Sequence, residues 1–286
     1  MHLPVLLAES MEYLAVRPDG VYVDATAGLG GHTAAIAARL VTGRVIALDR
    51  DAESLELAKQ NTGAWAERID YRQARFSELP QALAALGVER IDGLLADLGV
   101  SRWQLTEPER GFSLNAAGPL DMRMDRSQAL TAAELVNTLS ERELADLLYQ
   151  LGEEGRSRKI ARAIVRARRL EDTLQLARVV ETAAPRTGRL SPATKTFMAL
   201  RRAVNRETEE LDALLSGAPG LLAPGGRMVA ITFMSLEDRQ VKNAFRKLAA
   251  QGRARLLTKH VIKPSEEEIG ANPASRSAKL RAIERG

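Results

Sequence analysis

Three carboxylates in the first hundred residues, Asp24, Asp49 and Asp97, each stand where a run of apolar, strand-like sequence ends. Asp24 opens the stretch Asp24-Ala-Thr26-Ala-Gly28-Leu-Gly30-Gly31-His32, Asp49 closes RVIALD, and Asp97 closes IDGLLAD. Glycines between a strand and a helix let backbone amides approach a ligand at the carboxyl edge of a parallel sheet. An acid ending the second strand can accept both ribose hydroxyls of an adenosine. A tight turn alone would explain the glycines, but not three acids along one edge. A dinucleotide fits poorly: the third glycine of G-x-G-x-x-G would fall at Thr33, and Asp24 would repel a pyrophosphate. S-adenosylmethionine has a sulfonium and an amino-acid tail but no phosphate, so Asp24 becomes favourable. The residues favour that cofactor, with an NAD-dependent oxidoreductase as the weaker reading.

The elements that must position these acids alternate. Strand patterns at 21–26, 44–49, 68–75 and 91–99 are separated by helix patterns at 31–40, 52–61 and 77–86. That order predicts a parallel sheet covered by helices. It then breaks: 100–126 is rich in Gly, Pro and Asp, and 131–182 shows only helical periodicity. Sheet signals return with a helix at 205–216, a turn at Pro224-Gly225-Gly226, a strand at 227–233 and a helix at 236–248. Two last strand candidates, 254–262 and 277–284, lack a long crossover helix between them and predict an antiparallel hairpin at the sheet edge. The expectation is an α/β fold with a seven-strand, mostly parallel sheet. It is divided into 1–126 with 207–286, which bind the cofactor, and a helical insertion at 127–206.

Composition narrows the chemistry. The chain has 286 residues, 45% hydrophobic and 27% charged, enough to build a core. With no cysteine there are no thiolate metal sites, iron–sulfur clusters or cysteine nucleophiles. His2, His32 and His260 are far apart, so no metal site is expected. No apolar run reaches the length of a membrane span, and the sequence predicts a cytoplasmic protein. The net charge of +4 hides an asymmetry: Arg156–Arg206 holds 14 basic residues against 3 acidic, a net +11. Such segregation points to a polyanionic partner, and Arg158, Arg162, Arg166 and Arg169 recur at helical spacing opposite Ile160 and Ile164. A solvated basic helix without a partner is the bland alternative.

Beyond the generic fold, six segments resemble one family in order along nearly the whole chain. They are His2-Leu-Pro-Val-Leu6, Asp24 to His32, Asp97-Leu-Gly-Val-Ser101, Gly118-Pro-Leu-Asp-Met-Arg-Met-Asp125, Ser235-Leu-Glu-Asp-Arg239, and Asn272-Pro273 with Arg276-Ser-Ala-Lys-Leu-Arg281. The chain is similar to the bacterial ribosomal RNA small-subunit methyltransferase H family, also called MraW. The resemblance implies a class I, Rossmann-like methyltransferase that transfers a methyl group from S-adenosylmethionine, leaving S-adenosylhomocysteine. Its implied target is the exocyclic N4 of a cytidine in the decoding region of small-subunit (16S) ribosomal RNA, and its partner an assembled or assembling small ribosomal subunit. Implied cofactor contacts are Gly30, Gly31, His32, Asp49, Phe76, Asp97 and Gln104, with the insertion helping to recognise substrate. The sequence departs from the family pattern in three segments: Met234 stands for a histidine, Ser191-Pro-Ala-Thr-Lys195 for His-Pro-Ala-Thr-Arg, and Arg102-Trp103 for Ser-Pro.

The residues also constrain the acceptor atom. Methylating carbon 5 of a pyrimidine needs a thiolate, and radical methylation needs cysteine-bound iron–sulfur; both are excluded. An exocyclic amine, ring nitrogen or hydroxyl remains. Asp97, with the carbonyls of 98–100, stands where an amine's N–H groups would need acceptors, or it serves the cofactor alone. Trp103 or Phe112 is a candidate platform for the base. Asp121 and Arg123 could close over the site or contact RNA, or form a salt-bridged loop. A target base in folded RNA must be presented unstacked. A non-catalytic RNA-binding assembly factor on the same fold is the alternative function.

Overall fold

The computed structural model describes residues 4–186 and 191–286, so His2 lies outside the described residues. The chain divides into two compact units, Met1–Gly99 with Thr208–Gly286, and Val100–Glu207.

The first unit holds the sheet. Its strands are β1 (Val21–Asp24), β2 (Arg44–Asp49), β3 (Ile69–Gln73), β4 (Ile91–Asp97), β5 (Leu222–Thr232), β6 (Ala254–Leu256) and β7 (Lys279–Arg285). They lie in the order β3-β2-β1-β4-β5-β7-β6. β1 to β5 are parallel, and β7 runs antiparallel between β5 and β6. Strand order reverses between β1 and β4, the place where open α/β sheets bind ligands outside their carboxyl ends. Both faces are covered, so the strands are nearly continuous apolar runs. Val23, Ile46, Leu48, Leu94 and Ala96 face Leu211, Leu214, Val241 and Phe245. Tyr22, Val45, Ala47 and Leu95 face Met11, Leu14, Ile36 and Leu55.

Several boundaries differ from expectation. The Pro224-Gly225-Gly226 turn lies within β5, where pairing with β4 jumps from Ile91↔Leu222 to Gly93↔Arg227. A bulge there sets residues 223–226 of β5 against Asp92 alone of β4. The strand expected over 254–262 is only β6 plus a single bridge, Ile262↔Leu280. Between them, Leu257 and Thr258 donate to Ala282 without a continuous ladder.

The second unit is helical: Arg102–Thr106, Ala132–Thr138, Glu141–Gly152, Ser157–Arg166, Thr173–Ala183 and Ala193–Asn205. Ser101, Thr131, Ser140 and Asp172 cap the first, second, third and fifth of these through side-chain oxygens. Residues 100–126, expected with the sheet, belong instead to this unit. Phe112, Leu120, Met122 and Met124 are buried in one core with Val136, Leu148, Ile160, Val180 and Leu200. Polar groups reinforce it: Asn205 accepts from Met124 N at 2.8 Å and donates to the Met122 carbonyl at 2.7 Å. Gly118 lies so close to Pro108 that a Cβ would stand 1.9 Å from its carbonyl oxygen. Among the described residues no helix is long and apolar enough to cross a membrane.

Candidate active site

Within the first unit, Asp24, Asp49 and Asp97 end three neighbouring strands. Asp24 is fully buried and accepts from Thr33 Oγ1 at 2.7 Å and Thr26 N at 3.1 Å. Thr26 Oγ1 accepts in turn from Asp97 N at 2.7 Å, tying the β1 and β4 ends together. Asp49 accepts from Gly28 N at 2.8 Å through Oδ2 and from Asp51 N at 2.9 Å through Oδ1. Each Asp49 oxygen keeps a second acceptor direction, the requirement for binding a ribose diol.

Asp97 is the least satisfied of the three. Its Oδ1 is enclosed and has no hydrogen-bond partner among the described residues, while the side chain as a whole is 25% exposed. A buried, unmatched acceptor is unfavourable until a donor arrives. Oδ2 lies 3.9 Å from His32 Nδ1. His32 Nε2 is 3.1 Å from the Val5 carbonyl oxygen. A carbonyl only accepts, so Nε2 carries a hydrogen, and Nδ1 is the ring nitrogen that faces Asp97.

These acids are short of cations. Burial pushes Asp97 up to about 8, helped by the charges of Asp24 and Glu237. Burial likewise raises Asp49 to about 6 against the opposing Asp51 and Gly28 N–H groups. Asp24 is raised by burial despite His32 and Thr33. A ligand bearing hydroxyls, N–H groups and a positive charge matches this donor-poor edge, and the residues fit S-adenosylmethionine on those grounds.

Gly30 and Gly31 leave no room for a side chain. A Cβ at Gly30, whose φ is +87°, would meet Thr62 Cγ2 at 2.6 Å, and one at Gly31 would meet Pro4 Cγ at 2.4 Å. Both are needed for the protein's own packing. Phe76, just after β3, is part-buried against the core containing Leu79 and Leu83.

Glu237, within the Ser235–Arg239 segment, is not among the expected site residues. It is buried, accepts from Phe233 N at 3.3 Å and Met234 N at 3.2 Å, and its charge reaches Asp97. Its place in the first turn of helix Ser235–Ala250 was readable; its proximity to β4 was not. Asp238 makes a two-point ion pair with Arg281 at 2.7 and 3.1 Å.

The remaining expected residues lie in the second unit. Gln104 is buried, and its Oε1 accepts from Ser101 N at 2.9 Å in a capping box. Phe112, expected as a base platform, is buried in the helical core. Arg110, 1% exposed, lies over both Phe112 and Trp103, at 5.9 and 5.0 Å from the ring centroids. It donates to the carbonyls of Arg123 and Met124 at 3.0 Å each. Trp103 remains part-exposed. Asp121 and Arg123 form a two-point ion pair at 2.7 and 2.9 Å, and Arg123 also caps the carbonyls of Arg126 and Gln128. Burial pushes Asp121 up, but Arg123 outweighs it and holds the carboxyl low. The salt-bridged loop is therefore what these two residues build.

Arg158, Arg162 and Arg166 are exposed on helix Ser157–Arg166, opposite the buried Ile160 and Ile164. Arg169 is exposed but follows the end of that helix, so the expected stripe is three residues long. Arg162 is paired to Glu141 at 3.1 Å. Ser191 donates to Glu181 at 2.7 Å.

The model of the MraW methylase family matches residues 1–286. A protein named Ribosomal RNA small subunit methyltransferase H from Solibacter usitatus is 62% identical over 99% of each chain. Its namesake from Acidobacterium capsulatum is 50% identical over 99% of this chain and 98% of its own. That from Cyanothece sp. is 49% identical, covering 100% of this chain and 95% of its own.

Proposed function

The chain belongs to the MraW methylase family, and from that premise we propose that it methylates the exocyclic N4 of a cytidine in the decoding region of small-subunit ribosomal RNA. When bound, S-adenosylmethionine supplies the methyl group: the N–C bond forms as the C–S bond breaks, S-adenosylhomocysteine leaves, and the nitrogen gives up one proton. The chain's residues do the rest. Asp49 receives the ribose hydroxyls, and the acids ending β1 and β4 favour the cation. The enclosed Asp97 Oδ1 accepts an N–H of the target amine and holds its lone pair toward the methyl carbon. That unmatched atom is the observation carrying the reading: a hydroxyl or amine acceptor supplies the missing donor, and an amine has a second hydrogen to lose.

RNA contact is assigned to the exposed basic helix Ser157–Arg166 and to Trp103, with a small ribosomal subunit in the cytoplasm as partner. Arg158 and Arg166 have no ion-pair partner among the described residues, whereas Arg162 already has Glu141. Charge reversal at Arg158 and Arg166 is expected to weaken RNA binding regardless of sequence. The slope of log affinity against log salt should fall by about 2. Reversing Arg158 and Arg166 without changing that slope would remove the helix from the interface.

The deciding experiment is incubation with S-adenosylmethionine and unmodified small ribosomal subunits, followed by nucleoside mass spectrometry. N4-methylcytidine is the expected product. Methylation at another atom overturns the acceptor assignment. No methylation of subunits or naked RNA, despite cofactor binding, supports the non-catalytic assembly factor instead.

A further inference from the structure

The Val5–Leu6 peptide group is held from both ends. Glu268, in the segment between β6 and β7, accepts from Leu6 N at 2.7 Å across 262 residues of sequence. The other end of the same peptide, the Val5 carbonyl, accepts from His32 Nε2 at 3.1 Å. Leu6 is fully buried in left-handed backbone, φ 50° and ψ 40°. An L residue avoids that conformation unless its surroundings impose it. Here burial of the side chain and the bond to Glu268 do so. The connected groups run from Glu268 through one peptide to His32, and across 3.9 Å to Asp97.

Hydrogen bonds in series polarise one another. A carboxylate at the N–H end makes the carbonyl at the other end a better acceptor. The carbonyl then holds His32 Nε2–H more firmly and raises electron density at Nδ1. A carboxylate directly on a histidine N–H does the same in hydrolase triads; here a peptide stands between. We propose that Glu268 is a positioning residue acting through the Val5–Leu6 peptide, which holds His32 Nδ1 toward Asp97 and makes that nitrogen the acceptor of the proton released by the substrate amine. The acceptor half rests on the amine reading above; the coupling of Glu268 to His32 does not.

The step balances. The amine lone pair forms the N–C bond, the C–S electrons go to sulfur, and the proton leaving nitrogen passes to His32 Nδ1. The imidazolium is then flanked by Asp97 and Asp24, with Glu237 facing Asp97 and Glu268 acting through the peptide. The proton is lost to solvent before the next cycle.

The chain has only three histidines, so ¹⁵N-histidine labelling of the full-length protein gives a readily assigned spectrum. In the wild type without ligand, His32 is expected as the Nε2–H tautomer. Glu268→Gln keeps an oxygen that accepts from Leu6 N but removes the charge. His32 should then titrate at lower pH by about half to one unit. The acid limb of the kcat–pH profile on ribosomal subunits should move down by the same amount. Glu267→Gln, at the exposed neighbouring acid, should change neither.

An unchanged His32 titration in a Glu268→Gln protein of unaltered melting temperature overturns the proposal. So does a wild-type Nδ1–H tautomer, which needs no variant and no substrate. If the His32 shift occurs but methylation falls on an atom with no proton to lose, the amine reading fails and the Glu268–His32 coupling survives. If N4-methylcytidine forms while the His32 titration is indifferent to Glu268, the reverse holds.

Discussion

Asp97→Asn is expected to slow methyl transfer about 10²–10³-fold while making the unliganded protein more stable at pH 8. Asparagine has the same shape, but it neither ionises nor draws a cation or a proton. The stability gain follows from proton linkage. An unfolded Asp titrates near ~3.9, whereas in the folded chain Asp97 is pushed up to about 8 by burial and by Asp24 and Glu237. Between those values the folded state binds the proton that the unfolded state has lost. The contribution of Asp97 to stability is therefore fully present below about pH 4 and is lost as pH rises toward 8. Asp49, raised to about 6, adds the same sign up to that pH. Melting temperatures from pH 5 to 8.5 should fall for the wild type, and Asp97→Asn should flatten the fall and lie above it at pH 8. The separation should be on the order of several degrees. A wild type whose melting temperature climbs over this range would remove the electrostatic account. Turnover within threefold of wild type would strip Asp97 of its part in the chemistry.

Arg110→Ala is expected to destabilise the helical unit by about 3–5 kcal/mol. Arg110 is 1% exposed, donates to two backbone carbonyls, and lies over both Trp103 and Phe112. Truncation leaves the Arg123 and Met124 carbonyls without that donor and opens a void beside two aromatic rings. Hydrogen exchange should show protection lost first in Val100–Glu207, with the sheet strands retaining theirs. Lysine at the same position keeps the charge but not the planar guanidinium that lies over the two rings, so an intermediate loss is expected. Uniform loss of protection in both units, or none, would contradict this placement of Arg110.

The sheet was largely legible because its signals are local. Apolar runs ending in Asp24, Asp49 and Asp97 identify buried parallel strands and their carboxyl ends, and β2 was read to the residue. The shorter truth at β6 was not legible, since ARLLTKHVI has the composition of a strand whether or not a partner accompanies it throughout. Nor could Phe112 be distinguished from a base platform. An aromatic in a glycine-rich loop reads as exposed until Met122, Met124 and helices more than twenty residues away close over it.

The sequence by itself determined the α/β order, the three acids at strand ends, the basic segment, and, by having no cysteine, which methylation chemistries are closed. Each is a property of residue type or short spacing. Only the tertiary structure decided which of those acids keeps an oxygen unmatched among the described residues, that residues 100–126 pack with the helices, and that Glu268 is linked to His32 by the Val5–Leu6 peptide. Desolvation and hydrogen-bond satisfaction depend on what surrounds an atom in space. For Asp97 and His32, those surroundings come from β1, helix Ser235–Ala250, the amino-terminal segment and the chain between β6 and β7, which only folding brings together.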